Sequence, residues 1–250
     1  MSKVICMIPA RYTSKRFDGK ALADLHGKPM IQRVYERAKA YRFADKLMVV
    51  TDDERISAAV RKFGGNVIMT KPDNRTGTDR VAEAAAILNL KDDDIVVNIQ
   101  GDQPCLIPSH IAEIIDLLRK DPKLPAATLA YKIRHEEEID GSNSVKVVFD
   151  KDNYAIYFSR WPIPYRRNGQ GPPYYKHLGI YAYRGWFLRE YANMRSGKLE
   201  MAESLEQLRI LENGYKIKLF ITLHDSPSVD VPEDMGAVRD IIANCGGCAG

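Results

Sequence analysis

The sequence has no apolar run approaching the length of a membrane span, no block of like charge long enough to form a tail, no internal repeat and no low-complexity linker. The first absence argues against membrane insertion. A formal charge of only +4, evenly spread, gives no footing for nucleic-acid binding. Glycine-rich phosphate signatures are missing too. Gly19 is the one glycine in the loop that follows the first apolar run, so neither GxxxxGK[ST] nor GxGxxG can be written there. P-loop ATPases and dinucleotide-dependent dehydrogenases lose their main support. Cysteine is scarce: Cys6, Cys105, Cys245 and Cys248 read as reduced thiols. Cys245-Gly-Gly-Cys248 has the CxxC form without two further zinc ligands, and it is assigned no role. Met1 passes directly into the strand-like Val4–Ile8 with no basic leader, so no signal peptide is expected and a cytoplasmic location is.

What is present is alternation. Val4–Ile8 reads as a buried strand, and Ile31, Val34, Ala38 and Tyr41 then recur at helical spacing. The pairing repeats: strand Leu47–Val50 with helix positions Ile56, Val60 and Phe63, strand Val67–Met69 with Val81, Ala85 and Leu88, and strand Ile95–Ile99 with helix Ile111–Leu118. Strands alternating with helices predict right-handed crossovers, a mainly parallel sheet and ligands at the carboxyl ends of the strands. After Lys120 the pattern changes. Val145–Phe149 and Ala155–Phe158 predict a hairpin around Lys151-Asp152-Asn153, and "RWPIPYRRNGQGPPYY" is too rich in proline and glycine for a helix. The chain returns through the strand "HLGIYAYR", a helix with Ala202, Leu205, Leu208 and Leu211 on one face, a strand over Lys216–Leu223 and a helix after Pro232. The expectation is one α/β domain over residues 1–250, with a β-rich insertion or lid over about 131–183.

Two loops carry the chemistry. "IPARYTSKRFDGKAL" sets Arg11, Lys15, Arg16 and Lys20 beside a single acid, Asp18, directly after the first strand. Several cations with one glycine suit a polyphosphate; a solvated loop is the alternative. "VNIQGDQP" ends an apolar strand in Gln100, Gly101 and Asp102. A carboxylate there, across from a basic loop, suits a magnesium ion bridging phosphate oxygens, or else caps the helix near Pro108. Asp230 in "SVDVPEDM" offers a second acid, or supports the helix start at Pro232. Taken alone, His177 reads as a satisfied sheet histidine before a ligand, and Glu206 as a solvated face of its helix. His26, His110, His135 and His224 share no spacing for metal ligation, and Asp92-Asp93-Asp94 reads as a solvated turn.

Together "IPARYTSKRFDGKAL", "TGTDR", "NIQGDQP", "YFSRWPIP", "KHLGIYAYR", "SLEQLRIL" and "VDVPED" resemble, in order and wording, the bacterial 3-deoxy-manno-octulosonate (Kdo) cytidylyltransferases, or CMP-Kdo synthetases. The resemblance spans nearly the whole chain. It implies a Rossmann-like nucleotidyltransferase sheet flanked by helices, and transfer of CMP from CTP to the anomeric hydroxyl of Kdo, with release of pyrophosphate, for lipopolysaccharide synthesis. It further implies nucleoside contacts from Ala10, Arg11, Thr76 and Gly77, with Arg80 nearby, and a triphosphate held by Arg16 and Lys20. The 2-keto-3-deoxy sugar acid would meet Gln100, Arg160, His177, Tyr181, Glu206 and Gln207. Magnesium would sit on Asp102 and Asp230, leaving Lys20, Arg16 and Asp102 as the catalytic set. A homodimer built on the insertion, with Trp161 and Tyr165 in its patch, is expected too. The chain departs from the usual wording at Asp18, where a proline is usual, and at Gln103, where many members have glutamate. Gln103 leaves the 8-amino-3,8-dideoxy analogue as a competing substrate. Another nucleotide or sugar, or a nucleotide-binding regulator whose catalysis has lapsed, stands as an alternative function, although intact Lys20, Asp102 and Asp230 argue against the regulator.

Overall fold

The computed structural model describes residues 2–13, 16–167 and 171–244; Lys15 and the Cys245–Cys248 motif lie outside them. In chain order the elements begin with β1 (Val4–Ala10), the short strands β2 (Asp24–Leu25) and β3 (Lys28–Pro29), α1 (Met30–Lys39), β4 (Lys46–Thr51), α2 (Glu54–Lys62) and β5 (Val67–Met69). They continue through α3 (Gly77–Ile87), β6 (Ile95–Asn98), α4 (Pro108–Lys120), β7 (Ala126–Lys132), the single turn α5 (Glu137–Asp140), β8 (Lys146–Phe149) and β9 (Ala155–Ser159). Then follow β10 (Tyr175–Arg184), α6 (Gly185–Asn193), α7 (Lys198–Glu203), α8 (Gln207–Glu212), β11 (Ile217–Thr222) and α9 (Asp234–Asn244).

The central row runs β11-β7-β10-β6-β1-β4-β5. β1 pairs in parallel with both β4 and β6, and β10 enters antiparallel between β6 and β7. β1 is apolar on both faces because helices cover both. Its alternation sorts the core: Val4, Cys6 and Ile8 pack with α1, α2 and α4, while Ile5 and Met7 pack with α3, α6 and α8. A third small cluster joins Leu25 and Met30 to Val229, Met235 and Val238, and so pins α9 and the segment before it beside the loop that follows β1.

Three features differ from the sequence expectation. β7 was not expected, because "AATLAYK" is rich in alanine and short of β-branched residues; burial between β10 and β11, not propensity, makes it a strand. The expected helix through Ala202 and Leu211 is two helices, α7 and α8, separated at Ser204, whose φ of 52° is left-handed, and Ala202 is exposed. α9 begins at Asp234, so Pro232 precedes the helix and is not its first residue. The hairpin of β8 and β9 has its expected antiparallel pairing, and the β-rich stretch over 131–183 also contributes β10 to the central row.

Candidate active site

β1 and β6 lie side by side in parallel, so the loops leaving their carboxyl ends face one crevice. The floor requires glycine: a Cβ on Gly101 would stand 2.9 Å from the Pro9 carbonyl, and Gly19 has a φ of 68° against the Tyr12 ring. The cavity there measures about 420 Å³ and is lined by Ala10, Arg11, Lys20, Gly77, Gln100 and Asp102 among others. A neighbouring cavity of about 390 Å³ shares Gly77 and Gln100 and adds Thr76, Ser204 and Glu206.

Two ion pairs cross the crevice. Lys20 Nζ lies 2.6 Å from Asp102 Oδ2 and donates to the Val229 carbonyl at 3.0 Å. Arg16 Nη2 lies 2.6 Å from Asp230 Oδ1, and its Nη1 donates to Asn143. The Val229 N–H donates to the Asp102 carbonyl, which ties the two acidic segments together. Burial first, and the neighbouring Asp102 charge second, push the Asp230 carboxyl above its ordinary value. The capping alternatives fall away. α4 starts with Pro108 and no side-chain cap, and the start of α9 is held by Asp234, whose Oδ2 accepts from the N–H groups of Asp230 and Val231.

The wall shared by the two cavities is built on the N-terminus of α3. Thr76 and Asp79 form a reciprocal capping box, legible in "TGTD", that leaves Gly77 facing Pro9. Glu206 accepts from the Thr78 N–H at 3.2 Å and its hydroxyl at 2.9 Å; burial raises its pKa and these bonds oppose the rise. Arg209, 4% exposed, pairs with Asp79 at 2.8 Å and with Glu200 at 2.5 Å, locking α3 to α7 and α8. Sequence reading named neither Arg209 nor Thr78 as a site residue, although both stand inside quoted motifs. Arg11 donates to the Arg75 carbonyl, and desolvation followed by the Arg80 charge lowers its pKa.

Other expected site residues take different positions. Arg80, 1% exposed, is a core residue bound to Thr70 and to Asp52 at 3.1 Å. Tyr181 is buried between the His177 and Tyr183 rings, and Gln207 is buried with its Nε2 lacking a hydrogen-bond partner. His177 borders a third cavity, of about 210 Å³, together with Gln103 and Asp230. Its Nε2 is 3.0 Å from the Thr128 hydroxyl, and burial pushes its pKa down to about 3, so the ring is neutral. Gln103 is buried and donates to the Leu178 carbonyl, while Asp18 is exposed and its charge acts on Arg55. Gln100 donates to the Gly179 carbonyl at 3.1 Å, and Arg160 donates to backbone carbonyls of Ser142, Glu203 and Ser204.

Asp102 and Asp230 are hard oxygen donors whose mutual repulsion a divalent cation would relieve, and two cations, Lys20 and Arg16, stand beside them. This donor set fits magnesium. Among the described residues no three metal-ligating side chains converge, and no helix is long and apolar enough to cross a membrane.

The family model for "Cytidylyltransferase" matches residues 5–217. The chain is 58% identical over 243 residues to a 3-deoxy-manno-octulosonate cytidylyltransferase of Syntrophus aciditrophicus (strain SB), covering 97% of this chain and 98% of that one. It is 52% identical over 234 residues to an 8-amino-3,8-dideoxy-manno-octulosonate cytidylyltransferase of Shewanella frigidimarina (strain NCIMB 400), with 93% and 96% covered. Among solved structures it matches CMP:2-keto-3-deoxy-manno-octonic acid synthetase complexed with CTP, with a TM-score of 0.89, 44% identity and 97% and 99% coverage.

Proposed function

The chain belongs to the cytidylyltransferase family, and from that premise we propose that it transfers CMP from CTP to the anomeric hydroxyl of Kdo, releasing pyrophosphate. The observation that carries the reading is the crevice itself, where Lys20 and Arg16 each stand 2.6 Å from a carboxylate, Asp102 and Asp230, at the end of a parallel sheet. That is the charge layout of phosphoryl transfer: cations for the phosphates, hard acids for a metal.

In this reading the triphosphate draws Lys20 and Arg16 away from their carboxylates. At the start of α3 the Gly77 N–H, taken neither by the capping box nor by Glu206, is the backbone donor that meets the nucleotide. Asp102 and Asp230 would hold magnesium, which supplies a Lewis acid for the phosphate oxygens and lowers the pKa of the attacking hydroxyl. With two protein carboxylates, the remaining ligands would be substrate oxygens and water. Lys20 and Arg16 neutralise charge developing on the phosphate oxygens. The hydroxyl oxygen forms a bond to the α-phosphorus as the bond to the pyrophosphate oxygen breaks, its proton passes to solvent, and no covalent enzyme intermediate is needed. His177, neutral at working pH, serves the sugar acid as a hydrogen-bonding group and not as a cation.

Kdo is favoured over its 8-amino analogue because the relative so named is 58% identical, against 52% for the other. We further propose magnesium dependence, a cytoplasmic location, where CTP is available, and a homodimer. The exposed Trp161 and Tyr165, 78% and 88% accessible, support an interface on the excursion that follows β9. The test is pyrophosphate release by purified protein with CTP, magnesium and each sugar acid, beside ATP, GTP and UTP. Release with CTP and Kdo is expected. No release with either acid would overturn the reaction, and a preference above about tenfold for the amino sugar would overturn the substrate.

A further inference from the structure

Glu203 lines neither of the two cavities at the crevice, yet it holds Ser159 and Arg160 beside the helix end that leads into the second of them. Its Oε1 accepts from the Ser159 hydroxyl at 2.6 Å, and its Oε2 accepts from the Arg160 N–H at 2.9 Å. Its carbonyl accepts from Arg160 Nε at 2.9 Å. One residue thus grips Arg160 at both its backbone and its guanidinium. Glu203 is also the last residue of α7, directly before the left-handed Ser204 that turns Ser204, Leu205 and Glu206 to face the second cavity.

The guanidinium is held on three sides. Nε donates to the Glu203 carbonyl, Nη2 to the Ser204 carbonyl at 3.4 Å and Nη1 to the Ser142 carbonyl at 2.9 Å. A guanidinium carries five N–H donors, so these bonds leave one on each of Nη1 and Nη2. Two such donors on a fixed plane match the two oxygens of a carboxylate, and holding the plane in advance removes the rotamer entropy that binding would otherwise cost.

We propose that Glu203 is the positioning residue for the sugar acid. Through Ser159 and the Arg160 backbone it sets the guanidinium plane. This rests on the reading of Arg160 as the group that meets the sugar carboxylate. Glu203 touches no substrate and acts through Arg160.

The test is steady-state kinetics with CTP and Kdo varied separately. Glu203→Ala is expected to raise the KM for the sugar acid by about tenfold or more, while the KM for CTP stays within about twofold, because the N-terminus of α3 and Lys20 are untouched. Glu203→Gln, which keeps a carbonyl acceptor and the helix end, should recover most of the loss. In an Arg160→Ala background Glu203→Ala should raise the sugar-acid KM no further, since a residue acting through another has no effect once that one is gone. Ser159→Ala, a milder change, should move the same KM in the same direction. An unchanged sugar-acid KM in Glu203→Ala, additive effects with Arg160→Ala, or equal rises in both KM values would overturn the proposal. Absence of turnover by the unaltered protein with Kdo would remove the reading beneath it.

Discussion

Asp230→Asn should stabilise the metal-free protein while destroying its activity. Asp230 is 20% exposed, and burial together with the Asp102 charge holds its carboxyl above the ordinary value of 3.8. Such a group keeps its proton longer in the folded chain than in the unfolded one. Ionising it therefore costs stability, none below 3.8 and the full amount above the raised value. The ion pair with Arg16 at 2.6 Å offsets part of that cost, and the arginine side chain, 49% exposed, is left solvated when its partner is neutralised. Relieving a strained functional charge commonly yields about 0.5–2 kcal/mol. With the Arg16 offset, about 1 kcal/mol is expected here, which for a chain of this size is about 2–4 °C in Tm. The assay is thermal unfolding in chelator at neutral pH and near pH 4, with and without magnesium. The gain should be present at neutral pH and fade as pH falls toward 3.8. Magnesium should raise the Tm of the unaltered protein and leave that of the variant nearly unmoved. A variant less stable than the parent in chelator, or a gain that persists undiminished in acid, would refute the argument.

Arg209→Met should cost about 3–5 kcal/mol in urea unfolding, because Asp79 and Glu200 are left without their buried partner; a loss under about 1 kcal/mol would contradict that. Lys20→Ala should lower kcat by about a hundredfold or more, as for loss of one donor to a developing charge, while binding of the free sugar acid, followed by calorimetry, stays unchanged. His110 is buried with its pKa pushed down to about 4 by desolvation, so its share of stability is present above the ordinary value of 6.5 and is lost as pH falls through 4. His110→Gln should flatten the Tm profile over that window, though His177, lowered to about 3, keeps part of the slope. Sedimentation at micromolar concentration should show a dimer, and replacing Trp161 and Tyr165 with serine should yield monomer.

The sequence by itself determined the parallel half of the sheet and the meeting of two strand-end loops in one crevice. Val4–Ile8, Leu47–Val50 and Ile95–Ile99 are apolar runs long enough to be covered on both faces, and each is followed by helical spacing, so local pattern and tertiary burial agree. The basic loop and the strand-end Asp102 were legible because strand-end loops of a parallel sheet converge whatever their separation in sequence. Only the tertiary structure decided the rest. β7 is a strand because two neighbours bury it, since its alanines give no such preference. The helix through Leu205 and Leu208 breaks at the left-handed Ser204, next to Glu203, whose carboxylate accepts from Ser159 and Arg160, partners more than 40 positions away in the chain. Whether Asp102 and Asp230 cap helices or pair with the cations of the loop after β1 also depends on distant partners, Lys20, Arg16 and Asp234. Periodicity records which face of an element is buried; which charge meets which is fixed only when the elements pack.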